Sequence, residues 1–238
     1  MKLNELKVKI YSDGADLKSI SALSNNPIIK GFTTNPTLMR KAGILDYAGF
    51  AKEALTIVKG KPISFEIFTD DLNDMLLQAR TIASWGENIN VKIPVTNSKG
   101  QSTYEVVRQL TSEGIVINVT AVFTDDQVKK LVDVIHEDCP AIISVFAGRI
   151  ADTGRDAITA MTSAVLLASS KPQVEILWAS TREPFNIIEA ERAGCNIITV
   201  PPDMIDKAEA FFDKNLEQFS IETVKMFYDD AVLSGYSI

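Results

Sequence analysis

Several polar residues stand alone inside runs that are otherwise apolar and β-branched, and Lys92 is the most informative of them. It lies between Val91 and Ile93 in NVKIPV. Alternate side chains of a strand face opposite ways, so Lys92 points away from the face that Val91 and Ile93 cover. Burying an ammonium is costly and favours the neutral amine. A neutral amine can attack a ketone to form an imine, and the protonated imine accepts the electrons of an adjacent breaking carbon–carbon bond without a metal. Taken alone, a strand lysine that snorkels to solvent is the plainer reading. Glu66 in the preceding run, ISFEIF, and Asn118 in the following one, IVINVTAV, weigh against it.

Other polar residues end or interrupt similar runs. Asp13 ends the first run, and Thr33, Thr34 and Asn35 end the second. Thr120 lies in the fifth run, Ser144 in the sixth with Arg149 just beyond, and Ser180 and Arg182 end the seventh. Asp13 and Glu66 form a candidate acid/base pair, since aldol cleavage must remove a hydroxyl proton and imine formation must shuttle protons. A helix cap for Asp13 and a structural ion pair for Glu66 are the alternatives. Arg149 and Arg182, with Ser180 nearby, could close on a phosphate dianion, because guanidinium forks match its geometry. Salt bridges on an acidic rim would use them equally well. The TTNP turn can be structural, with proline stopping the strand and Asn35 bonding backbone groups.

These residues need a scaffold. Eight short strand-like runs recur at 7–12, 28–34, 63–68, 90–95, 115–122, 141–148, 174–180 and 196–201, separated by segments of helical period. Strands alternating with helices read as parallel βα units, and eight such units in 238 residues suit one compact (β/α)8 TIM barrel of class α/β spanning 1–238. A doubly wound open sheet is the alternative, but no glycine-rich nucleotide fingerprint supports it. The first helix, over about 15–24, must be brief. Thr124 or Asp125 should cap a helix after the fifth run, and His136 should sit on its surface. After the eighth run come two helical stretches with aromatic stripes, read as the eighth barrel helix and a C-terminal helix. That last helix packs on the barrel or forms a subunit interface.

Composition narrows the chemistry. The chain has 46% hydrophobic and 23% charged residues, the balance of a soluble globular protein. The start lacks a long apolar core and no run approaches the roughly 20 residues that span a bilayer, so a soluble cytoplasmic protein without membrane partners is expected. A net charge of −7 disfavours nucleic acid as a partner but not a small phosphorylated ligand. One histidine and two well-separated cysteines argue against a zinc site, a disulfide and a metal-dependent mechanism, so no metal or other cofactor is expected.

The residues together resemble the transaldolase family over nearly the whole chain. The matching segments are YSDGADL, GFTTNPTLM, ISFEIF, NVKIPVT, INVTAVF, ISVFAGRI and WASTREPFNIIEAERAGCNIITVP. GFTTNP followed by VKIPVT is the specific pair, and the length is similar to the small-subunit branch. The resemblance implies a (β/α)8 barrel and a Schiff base at Lys92. It also implies Asp13 as acid/base at the cleaved bond, and Glu66 with Thr120 at a catalytic water. Asn35, Asn118 and Ser144 would bind the dihydroxyacetone unit, in a substrate-contacting set that includes Thr33 and Phe146. Arg149, Ser180 and Arg182 would hold phosphate. The implied reaction, of the pentose phosphate pathway, converts sedoheptulose 7-phosphate and glyceraldehyde 3-phosphate to erythrose 4-phosphate and fructose 6-phosphate. Its partners would be small phosphorylated sugars, and a homo-oligomer is expected. Val145 and Thr181 depart from the family's usual proline and aromatic residue, and Glu183 places an acid beside the presumed phosphate arginine.

Two alternatives share the fold: a fructose-6-phosphate aldolase, which releases free dihydroxyacetone, and a non-catalytic phosphosugar-binding barrel. Phe146 shares strand parity with Ser144 and should line the site. Aldolase-type relatives tend to carry tyrosine there and glutamine at the position of Glu66. Phenylalanine has no hydroxyl with which to order water. Both residues favour transfer.

Overall fold

A computed structural model describes residues 2–236 as a closed barrel of eight parallel strands in chain order. The strands are β1 (Lys9–Asp13), β2 (Ile29–Thr33), β3 (Ile63–Glu66), β4 (Ile89–Pro94), β5 (Ile117–Val122), β6 (Ala141–Val145), β7 (Val174–Trp178) and β8 (Ile197–Val200). The helices are α1 (Leu17–Ser24), α2 (Pro36–Lys41), α3 (Tyr47–Ile57), α4 (Leu72–Ala83), α5 (Tyr104–Ser112), α6 (Asp125–Val134), α7 (Ala147–Asp152), α8 (Ala157–Ala168), α9 (Asn186–Ala193), α10 (Pro202–Phe211) and α11 (Leu216–Ser234). The ends of the expected 1–238 domain, residues 1, 237 and 238, lie outside the described residues.

The apolar pattern builds the outer core. Val91, Ile93, Ile117, Val119, Ile143 and Ile176 are fully buried between the strands and the helices. Covering each is worth about 1.5–3 kcal/mol. Helix α3 turns Phe50, Ala51, Ala54 and its C-cap Val58 into the same layer. The barrel interior holds a separate apolar cluster of Tyr11, Ile142, Leu177, Ala179 and Ile197, with Phe146 packed against it. A Cβ on Gly31 would come within 2.5 Å of the Tyr11 ring, so the absence of a side chain there lets that ring lie across β2. Burial pushes the Tyr11 hydroxyl up to about 12, with Glu175 adding to the effect. At the opposite end from the helix N-termini, Lys9 Nζ pairs with both carboxylate oxygens of Glu175 at 2.5 and 2.7 Å.

Most helices start on a side chain that accepts an otherwise unpaired backbone N–H. Asp16, Asn35, Asp46, Asp71, Thr124, Asp156 and Asn215 do so for α1, α2, α3, α4, α6, α8 and α11. Thr124, not Asp125, caps α6, and Gln127 completes a capping box. His136 is exposed as expected but stands just beyond the end of α6. The sixth strand-like run is shorter than its sequence suggests, because residues 147–148 already belong to α7.

The C-terminal helix is present, but α11 has no buried residue, so it does not pack into the barrel wall. Ile221, Val224, Met226, Phe227, Tyr228 and Leu233 are exposed along it. Its ties to the preceding segment include the Phe211–Phe219 ring contact, the Lys214 ammonium over the Phe219 ring and the Lys214–Glu222 ion pair at 2.5 Å. Among the described residues, no helix is long and apolar enough to cross a membrane.

Candidate active site

Parallel pairing brings the polar residues of β1 to β6 side by side. Glu66 is in register with Lys92, Lys92 with Asn118, and Asp13 with Thr33. Lys92 is 7% exposed, between fully buried Val91 and Ile93 that face the helices. The snorkelling reading fails here, because strand alternation sends Lys92 into the barrel. Its Nζ donates to the Thr34 carbonyl oxygen at 2.9 Å and lies 3.5 Å from Glu66 Oε2. GFTTNP and VKIPVT thus meet in space, with the first supplying the backbone acceptor for the lysine of the second.

Two carboxylates share this cation. Burial pushes Asp13 above its ordinary range, while the Lys92 ammonium and the Thr33 hydroxyl pull it back. Burial also pushes Glu66 up, with Lys92 opposing and the charge of Asp13 adding to the rise. Thr33 Oγ1 donates to Asp13 Oδ1 at 2.8 Å. Asp13 is not a helix cap, since Asp16 caps α1.

Further round the barrel, Asn118 Nδ2 donates to Ser64 Oγ at 3.1 Å, and Ser144 Oγ donates to Asn118 Oδ1 at 2.6 Å. This fixes the Asn118 amide beside Lys92 and links β5 to its neighbour β6 and, across β4, to β3. Thr120 Oγ1 is buried and has no partner among the described residues. An unmet buried hydroxyl costs about 1–3 kcal/mol and is a position for a bound water or substrate atom. Asn35 stands apart from this group. Its Oδ1 caps α2 through Leu38 N at 3.0 Å, which leaves only its amide nitrogen for other partners.

The phosphate candidates gather on the rim. Arg182 Nε and Nη2 form a bidentate pair with Asp152 at 3.1 and 2.6 Å. The Arg182 hydrogen bonds hold Asp152 below the usual carboxylate range, and the Arg149 charge acts in the same direction. The acid that pairs with Arg182 is Asp152 and not its neighbour Glu183, whose backbone N–H instead donates to Asn186 Oδ1. Arg149 also lies over the Phe146 ring, 5.7 Å from its centroid. Phe146 packs on Phe123 and on the interior cluster, as its parity with Ser144 requires. A Cβ on Gly148 would lie 1.7 Å from the Ser180 carbonyl oxygen, so glycine is what lets α7 approach the turn after β7. Ser180 sits in that turn at φ 66°, a left-handed conformation costly for a non-glycine residue.

Comparison with known proteins agrees with this geometry. A model of the "Transaldolase/Fructose-6-phosphate aldolase" family matches residues 10–233. The chain belongs to this family. A "Probable transaldolase" of Nitrosopumilus maritimus is 32% identical over 206 residues, covering 84% of this chain and 86% of that protein. Another "Probable transaldolase", from Methanococcus maripaludis strain C7, is 31% identical over 215 residues, covering 89% and 95%. A third, from Rhodospirillum centenum, is 32% identical over 216 residues and covers 89% of each. The structure titled "Crystal structure of a putative lyase/mutase from Burkholderia cenocepacia J2315" superposes with a TM-score of 0.61 over 98% of this chain and 88% of its own. At 12% identity it bears on the barrel alone. The family match runs from β1 into α11, so it takes in every polar residue described above.

Sequence reasoning missed four residues: Ser64, Asp152, Gly148 and Thr199 of β8, whose hydroxyl meets that of Thr33. Ser64 shares strand parity with Glu66, a signal that could have found it. The partnership of Asp152 with Arg182 depends on the bend of α7 and has no sequence signal.

Because burial raises both carboxylates, the fold favours their protonated forms, and their charges weigh against stability at neutral pH. Asp13→Asn and Glu66→Gln should therefore raise the melting temperature at pH 7 while lowering activity. The stabilisation should fade as pH falls through the raised carboxylate range, where the parent side chains become neutral too. Thermal unfolding of the variants across pH checks this, and a drop in melting temperature at pH 7 for both would contradict it.

Proposed function

We propose that the protein is a transaldolase that moves a dihydroxyacetone unit between sugar phosphates through a Schiff base at Lys92. The observation that carries the reading is the placement of Lys92 inside the barrel, with Glu66 3.5 Å away and Asp13 facing the same ammonium. Lys92 Nζ attacks the ketone carbon of a ketose phosphate, and water leaves to give the protonated imine. Asp13 takes the proton of the C4 hydroxyl, the C3–C4 bond breaks, and its electrons move into the imine. The aldehyde fragment departs and Lys92 retains an enamine. An acceptor aldehyde then receives the enamine carbon, Asp13 returns its proton to the new alkoxide, and water hydrolyses the imine.

The surrounding residues have matching roles. Glu66 is placed to exchange protons with Lys92, and the orphan hydroxyl of Thr120 would hold the water consumed and released there. Asn118 and Ser144 would bind the dihydroxyacetone hydroxyls, with Asn35 contributing its free amide nitrogen and Thr33 acting from Asp13's side. Arg149 and the unpaired edge of Arg182 would hold phosphate, with Ser180 between them. Phe146 supports transfer over release, since a ring without a hydroxyl cannot order water beside the enamine. The pentose phosphate pathway is the metabolic setting in which such a reaction belongs, and the cytoplasm its place.

The decisive assay supplies fructose 6-phosphate with and without erythrose 4-phosphate. Glyceraldehyde 3-phosphate and sedoheptulose 7-phosphate should form rapidly only with the acceptor. Borohydride should trap a reduced dihydroxyacetone-sized adduct on Lys92, and Lys92→Ala should lose activity by on the order of 10³-fold or more. Fast acceptor-independent release of dihydroxyacetone would make the protein an aldolase instead. Absence of any adduct would leave a binding barrel.

The exposed apolar face of α11 supports a homo-oligomer in which this helix meets another copy of the chain. The large apolar side chains exposed along α11 suit a partner whose own apolar helix is identical. Light scattering of the full chain should give a multiple of the protomer mass, and a chain ending after α10 should fall to a monomer. A monomeric full chain at micromolar concentration would overturn this.

A further inference from the structure

One buried hydroxyl beside the site has no part in the reaction as described. Thr199 is the third residue of β8 and is 6% exposed. Its Oγ1 shares a hydrogen bond with Thr33 Oγ1 in which either hydroxyl could be the donor. Thr33 donates in turn to Asp13 Oδ1. A hydroxyl carries one proton, so if Thr33 gives its own to Asp13, Thr199 must be the donor to Thr33. The three groups then form a one-way chain that ends on the carboxylate. The opposite polarity would run from a protonated Asp13 through Thr33 to Thr199. It would leave the Thr199 proton without an acceptor, because the Thr199 hydroxyl makes no other hydrogen bond among the described residues. An unmet buried donor is costly.

We infer that Thr199, acting through Thr33, is a positioning residue that holds Asp13 as the proton acceptor of carbon–carbon cleavage. The inference rests on the role proposed above for Asp13. Two charged groups face Asp13 from other strands, the Lys92 ammonium on β4 and the Glu66 carboxylate on β3. Burial, the largest influence, opposes the ionised form and Glu66 adds to it, while Lys92 and the Thr33 hydroxyl favour ionisation. Once Lys92 becomes an imine its charge comes and goes with each protonation step, whereas the hydroxyl chain does not change. It keeps one side of Asp13 supplied with a donor throughout the cycle, and leaves Oδ2 free of that chain to face substrate.

The test uses Thr199→Val, which keeps the branched shape and removes the hydroxyl, and Thr199→Ser, which keeps the hydroxyl. The dependence of kcat on pH is measured for acceptor-dependent transfer between about pH 5 and pH 9, since the acid limb reports the base in the bound complex. Thr199→Val should move that limb to higher pH by roughly half a unit to one unit, with most of the plateau rate retained at high pH. Thr199→Ser should restore the original limb, and Thr33→Val, which breaks the same chain, should move it the same way. An unshifted limb in Thr199→Val overturns the inference, as does an equal shift in Val and Ser variants. Borohydride labelling of Lys92 in each variant confirms an intact site. Full transfer by Asp13→Asn would overturn the reading of Asp13 and this inference together, while the Lys92 adduct would still stand.

Discussion

A lysine side chain inside a parallel barrel is energetically awkward, and much of the polar interior is organised around that cost. Val91 and Ile93 face the helices and turn Lys92 into the barrel, where its side chain is buried away from bulk water. Its compensation comes from the Thr34 carbonyl after β2 and from Glu66 at the end of β3. Desolvating an ion pair can cost more than its attraction returns, so such a group is weak evidence for stability. It is stronger evidence for chemistry, because clustered groups with displaced proton affinities mark reactive sites. Asp13 sharpens the conflict: a second carboxylate facing one cation leaves an excess negative charge in a poorly solvated space.

Hydroxyls and amides absorb that excess without adding charge. Thr33 stands on Asp13, while Asn118 is locked between Ser64 and Ser144. Each of these bonds joins different strands, and that from Asn118 to Ser64 reaches across β4, so the network that serves the lysine also ties the upper barrel together. On the rim a different solution operates. Asp152 occupies one edge of Arg182 and feels the positive charge of Arg149, so it offsets part of the positive charge on the rim.

The sequence made the barrel legible because outward positions carry Val and Ile while inward ones carry the rare polar groups. Lys92, Glu66 and Asn118 could be placed side by side from alternation and strand order alone. Asp13 and Thr33 could be placed at strand ends but not joined, since their contact depends on the stagger of β1 against β2. Asn35 was legible in both of its possible roles, and its carboxamide oxygen serves the helix while its nitrogen stays available. Asp152 was hidden because it lies in a helix and not at a strand end. Thr199 was hidden because its partner is on β2, across β1, and a linear reading of β8 shows only a threonine in an apolar strand. The packing of α11 was also out of reach, because an apolar stripe looks the same whether it meets its own barrel or something else.

The order of the strands bears on how the protein becomes active during folding. β1 and β8 come from opposite ends of the chain and pair along Lys9–Ile197 to Ser12–Val200. Consecutive βα units need only local loop closure, but this seam needs nearly the whole chain to have been drawn in, the slowest kind of contact to form. The hydrogen bond from Thr199 to Thr33 spans that seam. Helix content can therefore recover early on refolding while Thr33, already beside Asp13, still lacks its Thr199 partner. Return of enzymatic turnover then serves as a clock for the last event, the zipping of the sheet into a ring.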